Sequence, residues 1–414
     1  MRDFLPAEKA SRESVLAIIR ESYRAHGFDE IETPVLEEIE RLHSGIGGDN
    51  EKLAFTVLKR GLVTEDIIGA EDAMDLVDLG LRYDLTVPLA RFYATHRAEL
   101  PLVFRAIQIA AVWRAERPQK GRYRQFVQCD IDVIGEAGPL AEVELLTATA
   151  DTLRALGLEG WSIRINDRRL LSSMLVVLGF APAVHESTLI TLDKLDKIGH
   201  DGVIAELTSK GIPAGSVAAL KAFFERPMTL EFVPFGEAAI RKHLPDGVDA
   251  EAIASLASIG DSLSETDRAA LVFDPFLVRG MGYYTGAIFE VAHPELGYSL
   301  GGGGRYDGMI GRFLGSEVPA AGFSLGFERL VELVSLSADA EGGSVALLYD
   351  DEVLPISLMA LKAALAPRRV RLERKPKNLS AALERLASEG FAEFALVTAE
   401  TANAETLQFR PLNG

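Results

Sequence analysis

Hydrophobic positions recur at helical spacing over residues 7–26, where Val15, Leu16, Ile18, Ile19 and Tyr23 form one stripe before "HGF" closes the segment. The extended run "DEIETPVLEE" follows, and Pro34 within it suits a sheet edge or a strand end. From 103 to 135 the period changes to two. "VFRAIQIAAVWRAE" and "RQFVQCDIDVIG" read as antiparallel strands joined by the charged turn "RPQKGRY". In the second strand Val127, Cys129, Ile131 and Val133 share one face, while Phe126, Gln128, Asp130 and Asp132 share the other. One face therefore packs a core, and the other presents an amide and two carboxylates above a sheet. Arg114 and Glu116 share a face of the first strand.

Helical spacing returns over 168–270, in "RRLLSSMLVVLGF", "DGVIAELTSKG" and "AGSVAALKAFFE", and predicts a helical inserted domain. Strand pattern resumes in "AALVFDPFLVRGMGYYTGAIFEVA" and "YSLGGGGRYDGMI", and "PAAGFSLGFERLVELV" reads as a strand leading into a helix. The small, acidic run "SADAEGG" at 337–343 reads as a linker. Beyond it, strand and helix patterns alternate, as expected of a small α/β unit.

Composition narrows the classes. A chain of 414 residues with 48% hydrophobic and 25% charged positions reads as globular and as two or three domains. Cys129 is its single cysteine, which excludes a disulfide framework and a cysteine-based zinc site. The opening segment carries charges throughout its apolar stretch, so neither a secretory leader nor a membrane span is expected there, and a cytoplasmic location is. A net charge of −18 weighs against non-specific nucleic-acid binding but permits local basic surfaces. One is "APRRVRLERKPKN" at 366–378. Another gathers Arg114, Arg117, Lys120, Arg122 and Arg124 just ahead of Gln128, Asp130 and Asp132. Cations running into carboxylates suggest a place where a phosphate and an ammonium group lie side by side.

Familiar motifs are missing. Gly301–Gly304 lacks the GK[ST] ending of a Walker loop and the GxGxxG pattern, so a close backbone approach or a bulge is the better reading. The seven histidines include no HExxH, and there is no GxSxG elbow, so neither a protein-held catalytic metal nor a hydrolytic triad is expected.

In order along the chain, "GFDEIETPVLE", "LRYDLTVPLAR", "WRAERPQKGRYRQFVQCDIDVIG", "LVRGMGYYTGAIFE", "GGGGRYDG" and "AAGFSLGFERL" resemble the successive signatures of the histidyl-tRNA synthetases, class II aminoacyl-tRNA synthetases. The resemblance implies an α+β fold. A class II antiparallel sheet flanked by helices would span 1–167 and 271–336, with the helical insertion at 168–270 and an α/β anticodon-binding-like domain at 344–414. It further implies a homodimer and no membrane association. The implied reaction joins histidine and ATP into histidyl-adenylate, then transfers the histidyl group to tRNA(His), with Mg²⁺ carried on the triphosphate.

By match to the family pattern, Arg114 and Arg279 would contact the α-phosphate and the substrate carboxylate. Glu116, Arg122 and Arg329 would join Arg114 in holding ATP. Asp84, Leu85, Thr86, Gln128 and Asp132 would belong to the histidine site, with Asp84, Thr86, Gln128 and Asp132 as acceptors for the α-ammonium. Tyr283, Tyr284 and Tyr306 would wall the imidazole. Asp130 lies on the ligand face by alternation.

Two positions depart from the pattern. Gly282 stands where many relatives carry Asp, which bears on how its neighbours are oriented, and Asp84 is shorter than the acid many bacterial members use. The same fold is expected of a non-catalytic regulatory subunit of ATP phosphoribosyltransferase. The full set of Arg114, Arg279 and Arg329 favours catalysis instead. A histidine-activating enzyme with a non-tRNA acceptor is the third reading, and the basic run in the C-terminal unit speaks against it.

Overall fold

A computed structural model describes residues 1–44, 53–117, 123–226, 235–279, 282–334 and 343–412. They fall into two compact units, residues 18–334 with Met1, and residues 2–17 with 335–414. Along the chain come α1 (Pro6–Ala25), β1 (Asp29–Glu30), β2 (Leu36–Glu38), α2 (Ile39–Ser44), β3 (Phe55–Leu58), α3 (Thr64–Gly69), β4 (Val77–Leu81) and α4 (Thr86–His96). The hairpin β5 (Phe104–Trp113) and β6 (Gln125–Ile134) precedes α5 (Leu140–Ala155) and β7 (Ser162–Asp167).

Helices then run without a described strand to residue 270: α6 (Arg168–Val177), α7 (His185–Leu192), α8 (Leu195–Ser209), α9 (Ala214–Phe224), α10 (Glu237–Lys242), α11 (Ala250–Asp261) and α12 (Glu265–Ala269). The sheet resumes with β8 (Leu271–Phe273), β9 (Ala287–Ala292) and β10 (Gly301–Arg305). After α13 (Asp307–Leu314) it closes with β11 (Ala320–Gly326), which leads into α14 (Phe327–Leu333).

Eight of these strands form one sheet in the order β1-β5-β6-β11-β10-β9-β7-β8, antiparallel from β5 through to β7, while β2, β4 and β3 form a smaller sheet. The alternation of β6 is realised as the sequence predicts. Cys129, Ile131 and Val133 are fully buried, and α5 packs against β6 and β11 with Ala141, Leu145, Ala148 and Leu153 inward. The buried Arg305 of β10 is fastened to α5 by a bidentate pair with Glu142 at 2.6 and 2.7 Å.

The extended reading of 269–292 holds only at its two ends. Pro275 has no N–H for a ladder, and the Asp274 carboxylate accepts the Phe276 N–H at 2.9 Å, which turns the chain away between β8 and β9. The segment so released carries Arg279, Tyr283 and Tyr284.

In the second unit β12 (Val345–Tyr349), α15 (Pro355–Ala364), β13 (Val370–Arg374), α16 (Leu379–Ser388), β14 (Glu393–Val397) and β15 (Arg410–Pro411) form a sheet ordered β13-β12-β14-β15. Central β12 is apolar on both faces. Val345 and Leu347 pack with Leu358 and Leu361 of α15, while Ala346 and Leu348 pack with Leu386 of α16.

The basic run of this unit lies on and around the edge strand β13, where four of its six cations are matched by acids. Arg368 pairs with Glu393, Arg371 with Glu389, Arg374 with Asp351 at 2.8 Å and Lys375 with Asp350 at 3.1 Å. Charge on an edge strand also blocks unwanted pairing with another sheet.

Candidate active site

One cleft opens on the sheet face that the alternation of β6 marks out. Its void, open mouth included, is about 1180 Å³. The hairpin supplies Arg114 and Glu116 just beyond β5, and Phe126, Gln128, Asp130 and Asp132 from β6. The segment after β8 supplies Arg279, Tyr283 and Tyr284, and Arg329 enters from α14. Asp84, Thr86 and Tyr306 complete the set expected from the sequence. Of the other two expected residues, Leu85 does not line the cleft, and Arg122 lies outside the described residues.

Leu85 is held in the core instead, fully buried, with its carbonyl accepting from Gln108 Nε2 at 2.9 Å. Asp84 beside it faces two ways. Oδ1 accepts the Val87 N–H at 3.2 Å at the start of α4, while Oδ2 is buried with no hydrogen-bond partner. Gln128 gives its amide N–H to Ser324 Oγ at 2.9 Å and leaves Oε1 without a donor. Asp130 Oδ1 is likewise unpartnered. Three buried acceptors on one cleft thus lack donors, and such groups are costly unless a ligand supplies the protons.

Burial governs how these acids titrate. It pushes the Asp84 carboxyl up to about 6, against the Val87 amide and the Arg114 charge. Asp132 rises to about 7 by burial, although the Tyr306 hydroxyl donates to its Oδ1 at 2.5 Å. Asp130 is pushed well above the ordinary carboxylate range, first by burial and then by neighbouring Asp132. A cationic ligand among the three would draw all of them back toward the charged form.

The tyrosines make a corner beside Asp132. Ring centroids lie 4.7 Å apart for Tyr283 and Tyr284, and 6.0 Å apart, nearly edge-on, for Tyr283 and Tyr306. Gly322 makes this corner possible: a Cβ there would fall 2.0 Å from Asp132 Oδ1 and 3.1 Å from Tyr306 Cε1.

Each arginine is anchored from behind. Arg114 Nε donates to the Tyr83 carbonyl at 3.1 Å, and its guanidinium stands 5.0 Å from the Phe126 ring. Arg279 Nη1 donates to Glu290 Oε2 at 2.7 Å. Arg329 is bonded to the Ser299 carbonyl, and its guanidinium sits 5.0 Å from the Tyr298 ring. The glycine run makes its close approach to the protein itself. A Cβ on Gly302 would lie 2.8 Å from Arg279 Cζ, and one on Gly301 2.5 Å from the Ser324 carbonyl oxygen.

Position 282 does not leave Arg279 without a carboxylate, because Glu290 of β9 provides one. Space around Gly282 is open. Sequence reasoning missed Glu290, along with Tyr123, Ser299, Ser324 and Glu328 on the wall of the cleft. Period-two spacing marked Ser324 and Glu290 as strand residues. Nothing in it paired their strands.

A basic and acidic cleft of this form joins a family. The family model of histidyl-tRNA synthetase matches residues 1–330. The histidine–tRNA ligase of Leifsonia xyli subsp. xyli is 59% identical, over 100% of this chain and 97% of its own length. The chain belongs to the histidyl-tRNA synthetase family. A probable histidine–tRNA ligase of Tropheryma whipplei is 44% identical over 95% of this chain and 93% of its own. The crystal structure of histidyl-tRNA synthetase from Nostoc sp. PCC 7120 superposes with a TM-score of 0.77 at 25% identity, covering 99% of this chain and 93% of that one.

The fold is shared more widely. A Bacillus halodurans structure titled as an ATP phosphoribosyltransferase regulatory subunit/histidyl-tRNA synthetase gives a TM-score of 0.74 at 22% identity, over 97% of both chains. Fold alone does not separate enzyme from regulator. The full-length ligase relatives do, and the chain is an aminoacyl-tRNA ligase of the histidyl-tRNA synthetase family, whose members use ATP as a substrate. None of the described helices is long and apolar enough to cross a membrane.

Proposed function

We propose that this cleft activates L-histidine with ATP and then passes the histidyl group to tRNA(His). The observation that carries the proposal is the arrangement of three donor-less buried acceptors, Asp84 Oδ2, Gln128 Oε1 and Asp130 Oδ1, in the cleft that also holds Arg114 and Arg279. The acceptors suit an α-ammonium, assisted by Thr86. The guanidinium groups suit two anions that must meet.

In the first step a carboxylate oxygen of histidine forms a bond to the α-phosphorus, the bond from that phosphorus to the bridging oxygen breaks, and pyrophosphate leaves with the electron pair. Two anions approach one another, and charge builds on the phosphoryl oxygens. Fixed guanidinium groups are worth most at that moment, because they stabilise the developing charge without reorganising. Arg114 and Arg279 take this role. Arg329, Glu116 and Arg122 hold the nucleotide. Mg²⁺ carried on the triphosphate would supply charge neutralisation, with Glu116 and Glu328 among the carboxylates that line the cleft.

Tyr283, Tyr284 and Tyr306 give the imidazole flat walls, and Asp132, oriented by Tyr306, sits where a ring N–H or the ammonium can donate. A pocket whose buried polar groups need a matching partner rejects isosteres without editing. In the second step the 3′-terminal ribose hydroxyl of tRNA attacks the histidyl carbonyl and AMP leaves. The helices of 168–270 form the insertion between the two halves of the catalytic domain, residues 344–414 meet the anticodon, and the protein works as a cytoplasmic homodimer.

The purified protein should catalyse histidine-dependent exchange of pyrophosphate into ATP. Arg279→Ala should lower exchange by about 10²–10³-fold, with far-ultraviolet circular dichroism unchanged. An unmodified protein that shows no exchange would refute the proposal. Charging of a tRNA(His) transcript distinguishes it from activation for another acceptor.

A further inference from the structure

We infer that Arg164 and Glu290 are positioning residues for Arg279, and that their ion pairs tie the α7–α8 elbow to the guanidinium at the reacting phosphate. The inference rests on the role proposed above for Arg279. Strands β7 and β9 pair antiparallel, with Arg164 directly opposite Glu290. The Glu290 carboxylate is divided between two arginines: Oε1 accepts from Arg164 Nη1 at 3.1 Å and Oε2 from Arg279 Nη1 at 2.7 Å. The Arg279 guanidinium is therefore linked to Arg164 through Glu290, and it also has a side-chain hydrogen bond with Tyr284.

Arg164 is in turn held from two other elements. Its Nε donates to Asp274 Oδ2 at 2.7 Å, and Nη1 donates to Asp196 Oδ2 at 2.9 Å in the first turn of α8. Asp274 is the residue that turns the chain toward Arg279, and its N–H donates to the Ile165 carbonyl of β7 at 3.1 Å. Two residues before the arginine, the Leu277 carbonyl accepts from Asn166 Nδ2 at 3.2 Å. Residues 274–279 are thus laid along β7 by main chain and side chains together. From the other side, Gly302 leaves Arg279 no room for a neighbour with a Cβ.

The side chains are mostly shielded, Arg164 and Arg279 at 24% exposure and Asp274 and Glu290 at 17%, whereas Asp196 is 70% exposed. The pairs nearest Arg279 are the least screened, and the outermost faces solvent. Asp193, the C-cap of α7, lies on the same side and feels the charges of Arg279 and Glu290. A small cavity lined by Arg164, Asp193, Asp196, Leu277 and Glu290 separates the elbow from the segment bearing Arg279. The ion pairs there run beside the apolar side chains of Leu192, Leu195, Phe276 and Val278, which line the same cavity. A shift of the elbow acts on Arg164 and, through the shared carboxylate, on Arg279.

The test compares histidine-dependent pyrophosphate exchange in the full-length protein, its Glu290→Gln, Arg164→Met, Arg164→Lys and Asp196→Asn variants, and Arg279→Lys alone and combined with Glu290→Gln. A glutamine at 290 can accept from one arginine only, since its NH₂ meets the other donor to donor. Glu290→Gln should lower kcat about 10–100-fold with both KM values within about twofold, because a misplaced group costs rate rather than ground-state binding. Arg164→Met should fall in the same direction, Arg164→Lys should recover part of the loss, and exposed Asp196→Asn should lower kcat about two- to threefold at unchanged thermal midpoint.

If Glu290 acts through Arg279, the losses of Glu290→Gln and Arg279→Lys will be less than multiplicative when combined. Wild-type kcat in both Glu290→Gln and Asp196→Asn, or fully multiplicative losses, would overturn the inference while leaving the ligase reading intact. Should Glu290→Gln fail to fold, Asp196→Asn and Arg164→Lys carry the comparison. An unmodified protein without exchange would remove both readings together.

Discussion

Asp84 illustrates how one side chain can serve fold and ligand at once. One oxygen accepts the Val87 N–H in the first turn of α4 and the other is left buried without a donor, so part of the folding free energy is held in reserve for a cation. Two pH dependences of opposite sign follow. In the folded, ligand-free protein Asp84 and Asp132 titrate near 6 and 7, against 3.8 for the ordinary group, so the folded state binds more protons across that window. Stability from these groups declines as pH rises from about 4 to about 7 and levels off above. Binding of the ammonium needs the carboxylates charged, so histidine affinity should rise over pH 5.5–8 by more than titration of the free amino acid explains. Calorimetric titration across that range checks it. Asp84→Asn should weaken histidine binding at pH 8 by about 10–100-fold, flatten its pH profile, and raise the thermal midpoint of the ligand-free protein at pH 8. An unaltered profile in the variant would remove Asp84 from the ammonium site.

At the scale of elements, the sheet is a device for bringing distant strands to one face. β6 carries the acceptors, and β11 beside it carries Gly322 directly opposite Asp132. A Cβ at 322 would overlap that carboxylate, so Gly322→Ala should displace Asp132 from Tyr306 and raise the KM for histidine at least about tenfold, with a smaller change in the KM for ATP. Steady-state exchange kinetics would show it. Much of this was legible beforehand. Alternation in "RQFVQCDIDVIG" assigned both faces of β6, because a strand with a core face and a cleft face carries period two in its sequence. Leu85 is set apart from its neighbours because motif matching does not see side-chain direction: Asp84 and Thr86 line the cleft, and the Leu85 side chain turns into the core. Glu290 escaped because a strand's own pattern does not say which strand will lie beside it.

At the scale of the whole molecule, an acidic chain must still meet a polyanion. The basic run around β13 is more modest in the structure than in the sequence, since Arg368, Arg371, Arg374 and Lys375 each face an acid. Pairing with acids lowers the local potential, and exposed pairs such as Arg374 with Asp351, both about 70% exposed, are held weakly enough to be exchanged for a phosphate. Arg374→Glu should raise the KM for tRNA(His) several-fold in charging assays at low salt, with exchange within about twofold of wild type, and the difference should shrink as salt increases. Equal loss of charging and exchange would place the effect in folding rather than in tRNA contact.

The sequence by itself determined the periodicities, and through them the hairpin of β5 and β6, the helices of 168–269 and the alternating elements after 343, because local spacing decides which faces can be buried. It also supplied the permanent charges at 114, 279 and 329, in an order that resembles one family. Only the tertiary structure decided which groups meet. The register of β6 on β11 set Asp132 against Gly322, the turn at Asp274 carried Arg279 back over the sheet, and the pairing of β7 with β9 placed one carboxylate between two arginines. Asp132 and Gly322, like Arg164 and Glu290, lie more than a hundred positions apart, and the free energy that brings them together comes from packing the whole sheet, which no local pattern contains.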